Sequence, residues 1–294
     1  MSDQKHHVII LPYYCQDEID RYLKIARHLG GMARPKCSFS FLLAASPLAD
    51  LSSELFHAFS AIAPTHQFKC PTQIFGYPEG PTAMYWDAMD YIADNFAEYR
   101  GFSLWLESDM CPVQEDWLDR LSDEWFDGNE PVLMGCFVPE VFKHRIFRKP
   151  KKILDPHING GACYSLDFAH CVPHELRDAG VFDMVVYQAA TRIGEVRATD
   201  LISFATMDSV RRDIVANQKV LLHGFMQPKN QFIDECVRPL SAREKSTAGL
   251  VPVQAKMASI KRRVRTMFVR RGHKAMLENM LLAKERLDST RRAA

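Results

Sequence analysis

The sequence lacks the features that mark a secreted, membrane-spanning or zinc-stabilised protein. Its eight cysteines include no C-x-x-C pair, and no two histidines stand at zinc-finger spacing. Such cysteines are typical of free thiols in a reducing compartment, which favours the cytoplasm. Residues 1–7 are polar and predict no signal peptide. The most apolar stretch, 39–49, is about half as long as the roughly twenty residues that span a bilayer.

The sequence also lacks a large net charge, which is +1 over 294 residues, so bulk charge indicates no class of partner. The charge is unevenly divided, however. Residues 255–294 contain twelve Lys/Arg and three Asp/Glu, a net of +9, which leaves about −8 for residues 1–254. A basic tail of this kind is typical of a segment that meets an anionic surface. The chain carries no recognised nucleic-acid motif, and we expect no nucleic-acid partner.

Short apolar runs alternate with helical patterns through much of the chain. Residues 8–11 are fully apolar and predict a buried strand ending at Pro12, and apolar residues from Ile19 to Leu29 recur at helical spacing. Further strands are predicted at 39–45, 68–75, 103–106, 132–138, 202–206 and 220–222, and a glycine-containing strand or turn at 158–166. Further helices are predicted at 50–62, 81–96, 117–125 and within 173–193, and a basic loop at 143–152. This alternation predicts an α/β fold with a mostly parallel central sheet flanked by helices.

The composition changes after Pro252, and we place a boundary near residue 250. Residues 1–250 are predicted to form the main domain, and residues 251–294 a basic, amphipathic, helical C-terminal extension. Three interpretations of the extension stay open. It packs on the main domain, it lies on anionic lipid through residues 255–288, or it pairs with another subunit.

Glu107 and Asp109 form the most informative motif. They follow the apolar strand 103–106 and precede Cys111-Pro112. In open α/β sheets, ligands bind outside the carboxyl ends of the strands. Two carboxylates at i and i+2 across a turn can converge on one cation, and hard oxygen ligands favour Mg²⁺ or Mn²⁺. The motif therefore predicts a metal site that would hold a diphosphate. Acid-x-acid triplets are also common in solvated loops, which is the alternative interpretation.

Segments 8–14, 80–92 and 104–110 resemble, in their order and spacing, segments of glycosyltransferase-A enzymes. They are similar to the opening strand of those enzymes, to the helix before the metal strand, and to the Asp-x-Asp strand itself. The resemblance covers roughly residues 8–225 and is to nucleotide-sugar glycosyltransferases of the bacterial, family 2-like type. Two departures stand out. Glu107 replaces the commoner Asp, and the second strand ends in Ala44-Ala45-Ser46, where many relatives have an Asp that reads the nucleotide.

The resemblance implies how a donor would be held. Asp109 matches the final, metal-binding Asp of the motif, with Glu107 assisting. His223, which follows the apolar run 220–222, would add a metal ligand or touch the diphosphate, whereas a structural histidine is the other interpretation. The residues that would border the nucleotide are Pro12, Tyr13, Tyr77 and Pro81.

The resemblance also implies where the sugar and the acceptor would lie. Asn159, Gly160 and Gly161 would lie beside the donor sugar, since glycine lets backbone N–H groups approach a ligand closely. A β-bulge or tight turn is the structural alternative. An inverting transfer needs a base for the acceptor hydroxyl, and we choose Asp183, with Asp167 second. The basic residues of 143–152 would steer an anionic donor or acceptor, or would simply be solvated.

We therefore expect a metal-dependent glycosyltransferase of the hexosyltransferase type, with Mn²⁺ or Mg²⁺ as cofactor. It would move a sugar from a nucleotide-diphosphate donor to a hydroxyl of a saccharide or lipid-linked acceptor, as in polysaccharide biosynthesis. The expected location is the cytoplasm, with peripheral contact at the inner membrane face as a further hypothesis. The alternatives are a non-catalytic nucleotide- or sugar-binding protein and a nucleotidyltransferase. The latter usually has a glycine-rich, basic loop after its first strand, and residues 12–16 contain neither glycine nor a basic residue.

Overall fold

The computed structural model of the chain describes residues 4–139, 141–145, 148–154, 156–177, 181–224 and 227–248. The predicted tail helices and the predicted membrane contact through 255–288 lie outside these residues. In the described part, no helix combines the length and the hydrophobicity needed to cross a bilayer. The eight cysteines all lie in described segments and are free thiols.

Strands and helices alternate along the described chain. The strands are β1 (His7–Tyr13), β2 (Phe39–Ala45), β3 (Thr65–Lys69), β4 (Phe102–Trp105), β5 (Met110–Pro112), β6 (Leu133–Val138), β7 (Val141–Arg145), β8 (Arg148–Leu154), β9 (His157–Ser165), β10 (Val196–Ala198), β11 (Ile202–Phe204) and β12 (Leu221–His223). The helices are α1 (Gln16–Gly30), α2 (Ser53–Ser60), α3 (Glu79–Phe96), α4 (Trp117–Trp125), α5 (Phe168–Cys171), α6 (Phe182–Ile193), α7 (Val210–Ala216), α8 (Lys229–Val237) and α9 (Ala242–Ala248).

Seven strands form the central sheet, in the order β10-β6-β9-β4-β1-β2-β3. β1 is parallel to β2 on one side and to β4 on the other, whereas β9 is antiparallel to both β4 and β6. Successive side chains of β1 enter opposite cores, because residues of a strand alternate between its two faces. Ile9 and Leu11 pack with residues of α1, α2 and α4, and Val8 and Ile10 pack with residues of α3, α5 and α6. The predicted α/β fold with a mostly parallel sheet and helices on both faces is therefore confirmed.

A second, three-stranded sheet in the order β11-β12-β5 lies beyond the end of β4. β12 runs antiparallel to β5 and pairs His223 with Met110. Just past β12, the Gly224 N–H donates to the Asp109 carbonyl oxygen at 2.9 Å. α8 packs on both α1 and β5. This sheet brings the late segment 221–223 against the turn that follows β4.

Two predicted elements differ from the structure. The strand expected at 68–75 begins earlier and ends at Lys69. Pro71 has no N–H for a strand ladder, and the Thr72 N–H and hydroxyl donate instead to the Asp87 carboxylate of α3, at 3.0 and 2.6 Å. Within 143–152, expected to be a loop, residues 143–145 and 148–152 belong to the antiparallel strands β7 and β8.

Candidate functional site

The turn between β4 and β5 holds two carboxylates at the carboxyl end of the central sheet. The Met110 N–H donates to the Glu107 carbonyl oxygen at 2.9 Å and closes the turn. The Tyr22 hydroxyl of α1 lies 2.7 Å from the Leu106 carbonyl oxygen and donates to it. Neighbouring elements therefore fix the backbone that carries Glu107 and Asp109.

Glu107, Asp109 and His223 meet at this turn, with ligand atoms all within 4.8 Å of one another. His223 Nε2 lies 3.4 Å from Glu107 Oε2 and 3.5 Å from Asp109 Oδ1. His223 and Asp109 are buried, and Glu107 is half-buried. The structure thus brings together the three residues that the sequence suggested as metal ligands.

The cluster is electrostatically suited to a cation. Burial alone would lower the pKa of His223, but its contacts with Asp109 and Glu107 outweigh this and raise the pKa to about 9. Burial would raise the pKa of Asp109, but contacts with His223 and Lys229 hold that pKa below its ordinary value. The Lys229 ammonium lies 3.0 Å from Asp109 Oδ2. The field of the two carboxylates therefore stabilises positive charge between them.

One carboxylate oxygen of the cluster is left for a ligand. Asp109 Oδ1 is buried and accepts no hydrogen bond of good geometry from the described residues, although His223 Nε2 lies 3.5 Å from it. A buried carboxylate oxygen without a hydrogen-bond donor lowers stability unless a bound ligand supplies a partner for it. Two carboxylates and one imidazole form a donor set that suits Mg²⁺ or Mn²⁺. The residues present therefore fit the predicted metal.

Asn159 fixes the orientation of the His223 ring. Its Oδ1 accepts a hydrogen bond from the Gly161 N–H at 3.1 Å, which identifies that atom as the amide oxygen. The same oxygen lies 3.2 Å from His223 Nδ1, so this nitrogen must carry the hydrogen. Nε2 then faces the two carboxylates and can offer a lone pair to a metal when the ring is neutral.

The two glycines after Asn159 have a packing reason. A Cβ on Gly160 would lie 2.2 Å from Phe182 Cζ, and a Cβ on Gly161 would lie 2.2 Å from Met110 Sδ. Both contacts are closer than side-chain atoms tolerate, so neither position accepts a larger residue without movement of its neighbour. The missing side chains therefore make room for the protein itself, and the approach of a donor sugar to this segment stays a prediction.

Asp183 stands in the first turn of α6, held on both oxygens. The Met184 N–H donates to Asp183 Oδ1 at 2.9 Å, and His157 Nε2 of β9 lies 3.3 Å from Asp183 Oδ2. Asp167, the second choice of base, follows the far end of β9, where Ser165 pairs with the first residue of β4. Asp167 therefore lies near the start of β4, whereas Glu107 and Asp109 follow its other end. This separation favours Asp183 over Asp167 as the candidate base.

The residues predicted to border the nucleotide separate into two groups. Pro12 and Tyr13 are buried in β1. The Tyr13 hydroxyl lies 3.2 Å from the Asp50 carbonyl oxygen and accepts from the Ser52 N–H at 3.1 Å, so its side chain supports the loop before α2. The carbonyl oxygens of Pro12 and Tyr13 accept hydrogen bonds within the protein as well. Contact of either residue with a nucleotide stays a prediction.

Tyr77 is 76% exposed, and Pro81 is half-buried in the first turn of α3. Tyr77 belongs to a group that we call the apolar rim, which consists of the large apolar side chains that the described segments leave exposed. All of its members follow β1, β2 or β3 along the chain. They are Tyr14, Leu48, Leu51, Ile74, Phe75 and Tyr77.

The sequence analysis did not predict a role for Arg21, a buried arginine next to the turn that carries Glu107 and Asp109. Arg21 of α1 donates to the Ser108 hydroxyl through Nε and Nη2, at 3.2 and 3.0 Å, and to Asn230 Oδ1 at 3.4 Å. Arg21 therefore ties α1 and α8 to the residue between the two carboxylates. The spacing of Glu18 and Arg21 was the available signal, because it is typical of a helical ion pair. Nothing in the sequence placed that pair beside Ser108.

Comparison with known proteins finds similarity to solved structures only. No family model matches the chain, and no curated protein sequence matches it. S. aureus TarS 1–349 in complex with UDP is 12% identical with a TM-score of 0.46, and the match covers 85% of this chain and 71% of that one. The glycosyltransferase GlyE of Streptococcus pneumoniae TIGR4 is 12% identical with a TM-score of 0.44, covering 84% and 63%. A 4-diphosphocytidyl-2C-methyl-D-erythritol synthase is 10% identical with a TM-score of 0.45, covering 67% and 88%.

The match with GlyE covers 63% of that protein, so this chain spans less than two thirds of the length of GlyE. The α/β fold itself rests on the strand order of the central sheet.

Proposed function

We propose that the protein is a metal-dependent glycosyltransferase that moves a sugar from a nucleotide-diphosphate donor to a hydroxyl acceptor. The observation that supports this most is the cluster of Glu107, Asp109 and His223 at the carboxyl end of β4, with one buried carboxylate oxygen still without a donor of good geometry. In an open α/β sheet, this is the edge at which ligands bind.

Asp109, Glu107 and His223 would hold Mn²⁺ or Mg²⁺. When bound, the ion supplies positive charge that neutralises the leaving diphosphate. Lys229, whose ammonium is half-exposed beside Asp109, adds a second positive charge on the same side. Arg21 keeps the turn in place from behind through Ser108.

The acceptor would meet Asp183. A carboxylate held by a helix N–H on one oxygen and by an imidazole on the other has a fixed direction, which a general base requires. Asp183 would accept the proton of the acceptor hydroxyl as that oxygen bonds to the sugar. The transition state would be oxocarbenium-like, as in glycoside hydrolysis.

The apolar rim would receive the nucleotide. Large apolar side chains gathered on neighbouring loops are typical of a binding surface. Tyr14, Phe75 and Tyr77 offer rings on which a base can stack, and Tyr14 directly follows the last residue of β1. The members of the rim follow strands that are parallel to β4, so they lie at the same sheet edge as Glu107 and Asp109. A nucleotide-diphosphate sugar could then place its base at the rim and its diphosphate at the candidate metal site.

Thermal stabilisation by nucleotide-diphosphate sugars, with and without Mn²⁺, tests this proposal. A donor at one hundred times its Kd adds about 2.7 kcal/mol of stability. We expect a shift that needs Mn²⁺ and is lost in Asp109→Asn but kept in the exposed control Asp94→Asn. Absence of a shift with every donor at saturating metal would contradict the proposal. Release of pyrophosphate in place of a nucleoside diphosphate would identify a nucleotidyltransferase.

A further inference from the structure

A cavity of about 380 Å³ lies at the edge of the central sheet opposite to the candidate metal site. Gly101, just before β4, and Ser165, the last residue of β9, both line it, and Ser165 is the register partner of Phe102. Glu107 follows the other end of β4, roughly 17 Å away along an extended strand. The volume lies within the range of about 300–1,000 Å³ that is typical of ligand sites. A small ligand here would therefore be separate from a ligand at the metal site.

Two residues that line the cavity carry buried polar atoms without a partner. Trp125 of α4 is completely buried, and neither its indole N–H nor the Ser165 hydroxyl forms a hydrogen bond with a residue of the described segments. Ser165 is two positions from Cys163 on β9, and Cys163 packs in the same core as Trp125, so the two groups lie on one face of the sheet. Buried donors are rarely left without an acceptor. The pair therefore favours a ligand that offers acceptor oxygens.

Asp167 supplies an acceptor at the same cavity. Its carboxylate is half-buried, and Cys171 Sγ lies 3.6 Å from Asp167 Oδ2. A thiol is a weak donor, so this contact leaves the carboxylate with capacity for further hydrogen bonds. Asp167 forms no ion pair within the part of the chain that the structure describes. A ligand in the cavity can therefore donate to it.

The formal charge of the lining disfavours an anion. Arg100 is paired with Glu130, so these two charges cancel and Asp167 leaves the lining at a net −1. An anionic ligand would be repelled, and an ammonium ion has no acceptor for the Trp125 N–H. Hydroxyl groups both donate and accept, so a neutral ligand with several hydroxyls suits both the donors and the carboxylate. The half-buried Tyr99 ring, which also lines the cavity, offers an apolar surface that a sugar ring can cover.

We propose that this cavity binds a neutral saccharide, whose oxygens accept from Trp125 and Ser165 and one of whose hydroxyls donates to Asp167. The site goes beyond the proposed transferase function and does not depend on it, because none of these three residues is a candidate metal ligand. It also gives Asp167 a role other than that of the base. A glycan held here would have a point of attachment remote from the metal centre.

The indole N–H resonances of the protein test the proposal directly. The chain has four tryptophans, so a proton–nitrogen correlation spectrum contains four indole signals, and Trp125→Phe identifies the one from Trp125. Glucose, N-acetylglucosamine, maltose and lactose are titrated in turn. We expect at least one of them to shift the Trp125 signal in a saturable way, with or without Mn²⁺, because the indole gains an acceptor.

The variant Ser165→Ala/Asp167→Asn removes one hydroxyl and one carboxylate from the cavity. We expect it to bind the same saccharide at least about tenfold more weakly, since hydrogen bonds to charged groups are the stronger kind. The control Ser60→Ala/Asp208→Asn makes the same two changes at exposed positions and should bind as wild type does. Asp109→Asn, which alters the candidate metal site, should also bind as wild type does.

Cooperative thermal melting shows whether the double variant in the cavity is folded. Ser165→Ala alone, which removes only a hydroxyl, is measured in parallel and must also weaken binding.

Several outcomes would overturn the proposal. They are a Trp125 signal that no saccharide shifts in a saturable way, equal affinities in wild type and the cavity variants, and a shift produced by inorganic phosphate or putrescine but by none of the saccharides. Loss of saccharide binding in Asp109→Asn would instead place the sugar at the metal site. Absence of Mn²⁺-dependent stabilisation by every donor would contradict the transferase proposal and leave the result on the cavity intact.

Discussion

At the residue scale, two positively charged side chains of the protein would compete with a metal ion for the carboxylate of Asp109. His223 and Lys229 approach its two oxygens separately, and a divalent cation would need the same carboxylate. The imidazole is arranged to become a ligand, since Asn159 holds the hydrogen on its other nitrogen. The ammonium of Lys229 cannot become a metal ligand, and its positive charge would weaken the binding of a cation at Asp109.

Replacement of Asn159 by alanine should weaken metal binding. Without the amide oxygen, the His223 hydrogen is no longer held on Nδ1, and loss of such an orienting partner typically costs about 10–100-fold in metal affinity. Calorimetric titration with Mn²⁺ measures this. Asn95→Ala, which removes an exposed amide bonded to its own helix, should leave the affinity unchanged. Equal affinities in Asn159→Ala and wild type would contradict the role assigned to Asn159.

Replacement of Lys229 by methionine should act in opposite directions on metal and donor. Affinity for Mn²⁺ alone should rise several-fold because a competing positive charge is removed, whereas affinity for the donor in the presence of Mn²⁺ should fall. The matched control is Lys24→Met, which breaks an ion pair between Lys24 of α1 and Asp234 of α8. A parallel change of both affinities in Lys229→Met would show that the lysine acts only through the fold.

The residues that the sequence identified are those with a strong local signal. Glu107 and Asp109 follow an apolar strand directly, and this position suggested them as candidate ligands. His223 was suggested by the resemblance, together with the apolar run before it. Arg21 and Lys229 have no such signal, because their partners are distant in sequence, as with the 209 positions between Arg21 and Asn230. Contacts of this length depend on packing of whole elements, which a periodicity does not reveal.

At the element scale, the backbone just before β4 packs directly against the backbone just before β1. The His6 N–H donates to the Arg100 carbonyl oxygen at 2.9 Å, and the next residue, Gly101, has φ of +156°. A Cβ at Gly101 would lie 1.9 Å from the His6 carbonyl oxygen. Backbone, rather than a flexible side chain, occupies that space, so the strand itself would have to move.

Replacement of Gly101 by alanine should therefore lower the free energy of unfolding by about 3 kcal/mol, which combines overpacking with an unfavourable φ. Urea denaturation measures it. The control is Gly30→Ala at the end of α1, where a Cβ would meet nothing within 4 Å. Its stability should be unchanged or slightly higher. Similar stabilities of the two variants would contradict the backbone contact at Gly101.

Elements were predictable where the hydrophobic pattern is long. β1, β2 and α4 match their predicted ranges closely because apolar runs and helical stripes mark them. β5 and β10 each have three residues, too few for a pattern, and they are held by pairing with β12 and β6. The antiparallel insertion of β9 and the basic hairpin before it were not predicted, since charged residues that form a hairpin carry no apolar alternation.

At the scale of the whole molecule, stability depends on a buried neutral histidine. His7 is fully buried, and burial, followed by the charges of His6 and Lys5, lowers its pKa to about 3. Its Nε2 lies 3.0 Å from the Ser122 hydroxyl, and its Nδ1 accepts from the Phe102 N–H at 3.3 Å. The neutral ring is therefore part of the packing between β1, β4 and α4.

Stability should fall in mild acid because of His7. The unfolded chain binds its proton near pH 6.5, whereas the folded chain binds it only near pH 3, so this contribution is complete above 6.5 and decreases below it. The loss at pH 5 is about 2 kcal/mol. Urea unfolding at pH 7.5 and 5.0 should show a smaller acid loss in His7→Gln than in wild type. Identical acid losses in the two proteins would contradict the assignment.

The candidate metal centre has a consequence for the order in which the protein can be made. Glu107 and Asp109 leave the ribosome more than a hundred residues before His223, and Lys229 emerges later still. A nascent chain that has completed β1 to β4 already displays two carboxylates at the sheet edge, but it has no imidazole to join them and no α8 to cover them. Uptake of the proposed metal would therefore belong to the last stage of synthesis, and a translation product that stops before β12 would carry the acidic pair without the histidine that completes the candidate site.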